Sequence, residues 1–196
     1  MITLPEGVGP GDATPALLDY GFLQRTGAGG ETTRIDRMGS RYRVGFSFGP
    51  FSPTLGNVMV SRLLAAKSKG IRLPYPLLRD QGYPGAPLVN GAGQSGETLS
   101  LKGVTPGYAC LEGYWISIED QNGRHYLHNV QQTGVATSGG LLEIQITPML
   151  RWPFANNAVV HIAKPMVEGF VDGDEWAWNL SVNRVVPIDF SVEEAA

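Results

Sequence analysis

The sequence predicts a mainly β protein with one α-helix, folded as an antiparallel β-sandwich or a small β-barrel. Three observations lead there. Apolar and polar residues alternate over many short stretches, which is the period of a half-buried strand. Only residues 53 to 69 keep the three- and four-residue apolar spacing of a helix. Glycine and proline contribute 26 and 14 of the 196 residues, about a fifth of the chain against a usual roughly 12%, so turns must be frequent and long helices few.

Residues 1 to 30 carry Gly7, Gly9, Pro10, Gly11, Pro15, Gly27, Gly29 and Gly30 around one apolar island, Leu17 to Leu23. They read as an extended arm with one short strand, distinct from a β-rich domain over 31 to 196. Such an arm cannot bury Leu17, Leu18, Tyr20, Phe22 and Leu23 by itself, so these five residues are the expected oligomer interface. From Thr32 to Phe48 the alternation predicts a strand pair, with Tyr42, Val44, Phe46 and Phe48 on one face and Arg41, Arg43, Gly45 and Ser47 on the other.

Ser52-Pro53 supplies a cap residue followed by proline at the first helical position. Leu55, Val58, Met59, Arg62, Leu63 and Ala66 then recur at helical spacing until Lys67, Lys69 and Gly70 close the helix. Residues 73 to 96, with Pro74, Pro76, Pro84, Pro87 and five glycines, read as a long connecting loop suited to contact with another subunit. Strands are expected at Glu97–Leu101, Tyr114–Glu119, Arg124–Gln131, Leu141–Thr147, Val159–Ile162, Trp176–Val182 and Val186–Val192. Asn122-Gly123 marks a hairpin between the second and third of these.

Composition narrows the function classes. No stretch approaches the ~20 uninterrupted apolar residues of a spanning helix, and the first residues lack a basic region followed by an apolar one, so neither membrane anchor nor signal peptide is expected. Cys110 is the only cysteine, which excludes an intrachain disulfide and a cysteine-based zinc site. The net charge of -3 does not suit a dedicated nucleic-acid binder. Residues 1 to 80 hold 10 basic and 6 acidic side chains and residues 81 to 196 hold 5 and 12, so the halves carry +4 and -7 and could meet between copies or on different neighbours.

The candidate chemical motifs are weak. Gly91 to Gly96 matches G-x-G-x-x-G, but a proline-rich loop precedes it and a strand follows, where a dinucleotide site needs a strand before and a helix after. His125 and His128 lie three apart on an expected strand and face opposite ways, with His161 able to approach one of them and no carboxylate partner close in sequence. Asp172-Gly173-Asp174-Glu175 reads as an acidic turn rather than a calcium loop or a glycosidase pair. Cys110 has no reactive signature, Asn179-Leu180-Ser181 falls inside an expected strand, and Trp152 suits a sugar platform or a packing anchor. The expectation is a non-enzyme with no catalytic, cofactor-binding or metal site.

The runs Arg34–Tyr42, the helix closing at Lys69-Gly70, Gly96–Gly103, Tyr126–Val130, Leu142–Arg151 and Ala163–Phe170 together resemble the distal tail and minor tail proteins of long-tailed bacteriophages, prophages and gene-transfer particles. The resemblance implies a β-rich structural virion subunit without catalytic residues or cofactors. It implies a homo-oligomeric ring, commonly hexameric, that joins the tail tube protein to the hub or tip proteins and lines a channel crossed by viral DNA. The implied location is the distal end of the tail in the virion, and the host cytoplasm during assembly, with no membrane partner. The alternative is a carbohydrate-binding β-sandwich module or glycan-active accessory protein using Trp152, Trp176 and the acidic turn.

Overall fold

The computed structural model describes every residue of the chain except 26, 28, 181–184 and 196. In chain order the elements are β1 (Asp12–Leu18), β2 (Phe22–Gln24), β3 (Thr33–Ile35), β4 (Arg41–Phe51), α1 (Pro53–Lys69), β5 (Ile71–Pro74), β6 (Gly85–Val89) and β7 (Gly96–Val104). They continue as β8 (Ala109–Cys110), β9 (Trp115–Glu119), β10 (His125–Gln132), β11 (Gly134–Val135), β12 (Leu142–Leu150), β13 (Val160–His161), β14 (Met166–Val171) and β15 (Val186–Glu194). The protein is mainly β with a single helix among the described residues, as the sequence predicts. Its sheets pack as a sandwich.

One sheet has the order β1-β4-β15-β14-β5, antiparallel throughout. On β4, Tyr42, Val44, Phe46 and Phe48 are buried while Arg41, Arg43, Gly45 and Ser47 face outward. That alternation is what a sheet with one dry face requires. The same face continues on β15 through Ile188, Phe190 and Val192, with Phe190 stacked on Phe48 at 5.6 Å between ring centroids. Met59, Leu63 and Ala66 of α1 join this core cluster. Proline at the start and Gly70 at the end, in the left-handed region at φ 72°, bound the helix. Gly56 lets it approach β15, because a Cβ there would stand 2.8 Å from the Val186 side chain.

The second sheet has the order β13-β9-β10-β12-β7-β6 and curls into a nearly closed barrel. A bridge between Leu88 and Val159 brings its first and last strands together, with the Val89 N–H donating to the Ala158 carbonyl at 2.9 Å. Its interior is a second core of Leu99, Leu101, Ile116, Ile118, Ile144, Ile146 and Phe154, among others. Leu127 of β10 faces the other way and joins the first core.

A buried carboxylate links the two sheets. Glu194 on β15 accepts from the backbone N–H groups of Tyr42 and Leu127, both at 2.7 Å, and from Arg151 at 3.0 Å. Arg151 also lies over the Tyr126 ring, 5.4 Å from its centroid.

Several elements differ from the sequence reading. Residues 12–18 are not a separate arm but an edge strand zipped along β4 from Asp12↔Ser47 to Leu18↔Arg41. Upstream, the Ile2 N–H donates to the Gly70 carbonyl and the Arg72 N–H to the Ile2 carbonyl, both at 2.9 Å, while Leu4 and Val8 pack on the first core. The segment 32–48 is not one strand pair, since β3 pairs with β2 and β4 with β1 and β15. The expected loop 73–96 contains β6, whose Pro87 is tolerated because β6 is the last strand of its sheet, next to a register shift. Residues 176–180 form no strand; Ser181 and Val182 of that expected strand lie outside the described residues. Trp176 instead packs on the first core and donates its indole N–H to the Asp189 carbonyl at 3.0 Å.

Part of the uneven charge is matched within the chain. Arg41, Arg43 and Arg72 from the basic half pair with Glu193, Asp172 and Glu168 from the acidic half.

Candidate functional site

One exposed apolar surface is the β2–β3 ribbon and its flanks; Leu78 and Tyr83, between β5 and β6, are exposed too. Phe22 pairs with Ile35 and Leu23 with Arg34 across the ribbon, and all six residues of its two strands are exposed. Leu17, Tyr20, Phe22 and Leu23 are 43–52% exposed and Met38 is 63% exposed, so a large apolar area stays in water on an isolated subunit. Leu18 is half-buried. The sequence reading thus located four of the exposed residues and missed Ile35 and Met38, which follow only from the pairing of β3 with β2.

Local polar contacts rather than a core hold this ribbon in shape. Asp19 accepts from the Gly21 N–H at 2.8 Å and from Arg34 at 2.9 Å, and Arg34 also donates to Asp36 at 2.6 Å. The Gly21 N–H, then Arg34, hold the Asp19 carboxyl below the usual carboxylate range. Arg37 lies over the Phe22 ring at 5.0 Å and Arg41 over the Tyr20 ring at 5.2 Å. These cations cover part of the aromatic faces and leave the edges open.

A second constellation lies on the barrel. The hairpin at Asn122-Gly123 sets Glu119 directly opposite His125, and β13 sets His161 opposite Ser117. Alternation puts residues 117 and 119 on one strand face, so the three side chains converge. His161 Nε2 donates to Glu119 at 3.2 Å, and the His125 and His161 rings lie 4.8 Å apart. Burial, followed by the charges of Arg72 and His161, lowers the His125 pKa to about 4, so this imidazole is neutral at pH 7. From the sequence no metal-ligating set is expected, because His125 and His128 face opposite ways and neither a cysteine cluster nor a carboxylate partner is obvious nearby in sequence. The sheet supplies Glu119.

The other candidates stay apart from both places. His128 is fully buried and donates from Nδ1 to the Pro148 carbonyl at 2.8 Å; burial, then Arg151, lowers its pKa to about 3. Gly91, Gly93 and Gly96 all have positive φ in the β6–β7 turn, where no helix follows. Asp172 bonds the Gly173 N–H and Arg43, and Lys67 donates to the Gly173 carbonyl, so the acidic turn is tied into the fold. Burial pushes the Cys110 thiol up to about 12, which leaves it unreactive at neutral pH. Trp152 is 42% exposed, and Trp178 stacks on Trp176 at 5.3 Å.

No family model and no curated protein matches this chain. Among the described residues no helix is long and apolar enough to cross a membrane.

Proposed function

We propose that the protein is a structural subunit of a phage-type tail, a ring-forming distal tail adaptor between the tail tube and the hub or tip. The observation that carries this reading is the apolar ribbon and its flanks, where Leu17, Tyr20, Phe22, Leu23, Ile35 and Met38 are each more than a third exposed. Burying one such large side chain contributes roughly 1.5 to 3 kcal/mol, so a neighbouring copy that covers three or four of them gains enough to order a contact. The resemblance of the sequence to distal tail proteins supplies the identity of the assembly, and contacts that close by rotation supply the ring. No catalytic residue and no cofactor enters this role, and viral DNA passes the subunit only in transit.

Mass photometry at micromolar concentration, with and without purified tails, tests the reading. Closed rings, sixfold on this reading, or incorporation at the tail end are the expected result. A strict monomer that also fails to join tails overturns it. The stacked Trp176–Trp178 pair favours a second reading, a carbohydrate-binding sandwich module, for which a glycan array replaces the ring as the positive result.

A further inference from the structure

From the geometry we infer that Glu119, His125 and His161 form a binding site for one divalent transition metal ion of the zinc class. This inference is independent of the tail assembly and reverses the expectation drawn from the sequence that the chain holds no metal.

The three side chains offer one ligand atom each, and these atoms all lie within 4.8 Å of one another. Zinc bonds imidazole nitrogen and carboxylate oxygen at about 2.0 to 2.2 Å in a tetrahedral arrangement, which separates neighbouring ligand atoms by roughly 3.3 to 3.6 Å. The His161 Nε2 to Glu119 Oε2 separation of 3.2 Å is close to that spacing. Closing on an ion therefore asks for rotation of side chains and no movement of strands.

All three positions sit on paired strands, and Glu119 and His125 are register partners. Rigid strands fix ligand positions better than loops do. Two imidazoles and one carboxylate leave a fourth position for water, and the side chains of Glu119 and His161 are each 33% exposed, so an ion can enter from solvent.

Surrounding groups support the ligands. Ser117 is buried, and its hydroxyl oxygen accepts the Met166 N–H at 2.9 Å and stands 3.3 Å from His125 Nδ1. A hydroxyl oxygen has two acceptor positions. It can accept from His125 Nδ1–H as well, which fixes that tautomer and leaves Nε2 with its lone pair, the usual orienting device for a metal-bound histidine. At His161 the Nε2 proton now directed at Glu119 moves to Nδ1 when the ion takes its place. Arg72, whose charge acts on His125, is engaged by Glu168 at 2.6 Å and by the Gly123 carbonyl, so its charge is balanced by a buried carboxylate.

The full-length protein, stripped with chelator and titrated calorimetrically with zinc chloride, should bind one ion per chain with micromolar affinity. Glu119→Gln and His161→Ala should each weaken binding by about tenfold or more, with melting temperatures in chelator close to that of the parent. Asp172→Asn, in the acidic turn, should leave affinity unchanged. On the unsubstituted protein, zinc should protect His161 from acylation by diethyl pyrocarbonate. Absence of saturable binding below about 100 µM, binding that survives both substitutions, or acylation of His161 unaffected by zinc overturns the inference.

Discussion

Replacing Glu194 with alanine should be among the most damaging single changes in the protein. The Glu194 carboxylate is 1% exposed and its partner Arg151 5%, so the pair is buried. Alanine leaves two buried N–H donors, those of Tyr42 and Leu127, without an acceptor, at about 1 to 3 kcal/mol each. It also strands the Arg151 guanidinium, whose Nε and Nη1 already lack partners. Breaking a buried ion pair by removing one side costs about 3 to 5 kcal/mol. These contributions overlap, and a total near 5 kcal/mol is the expected loss, a large part of the 5 to 15 kcal/mol that usually stabilises a domain. Urea unfolding followed by tryptophan fluorescence measures it. Pairing Glu194→Gln with Arg151→Met should recover part of the loss, because the uncompensated charge is then gone. A loss below about 1.5 kcal/mol for Glu194→Ala, or a double variant less stable than Glu194→Gln alone, would refute the view that this pair joins the sheets.

Gly169→Ala should cost at least about 2 kcal/mol, since any Cβ there overlaps the Glu193 backbone carbonyl across the β14–β15 pairing; a melting curve like that of the parent contradicts the register. Stability should fall as pH drops from about 6.5 towards 3, because the unfolded chain takes up a proton that native His128, with its pKa near 3, does not. That one histidine contributes up to about 1.4 kcal/mol per pH unit, and His128→Asn should remove this share of the slope in urea midpoints measured between pH 7 and 5. Phe22→Ser with Leu23→Ser should change unfolding free energy by less than about 0.5 kcal/mol per site yet abolish rings in mass photometry. A chain beginning at Glu31 should melt well below the parent, since it lacks β1 and the packing of Ile2, Leu4 and Val8; an unchanged melting temperature would restore the reading of residues 1 to 30 as a separable arm.

Legibility followed the range of the signal. The β4 alternation and the Pro53 and Gly70 boundaries of α1 are local and strong, and both appear in the fold within a few residues of where the sequence puts them. Strands β1 and β6 carry Pro15 and Pro87. They are edge strands that one neighbour stabilises, so their own residues give little periodicity to read. Two of the three residues of the histidine–carboxylate cluster are within reach of the sequence, because the Asn122-Gly123 hairpin implies that residues near 119 and 125 face each other. His161 is not, since its place depends on β13 pairing with β9 some 40 residues away, which no local pattern encodes. Likewise the spacing from Val186 to Val192 puts Glu194 on the dry face, but only the packed sheets reveal Arg151 as its counterion.

Ile2 also restricts how copies of this protein can meet. Along the outer side of β5, Ile2 takes up the Gly70 carbonyl and the Arg72 N–H, and Pro74 has no N–H to give. The barrel brings β6 back to β13. Among the described residues of the two large sheets, β1 keeps the longest open margin, seven residues paired on one side only with β4. Where two β1 margins pair with each other they do so about a twofold axis, and that growth stops at two. A ring of higher order must therefore be joined otherwise, through side chains or through the two free margins of the β2–β3 ribbon.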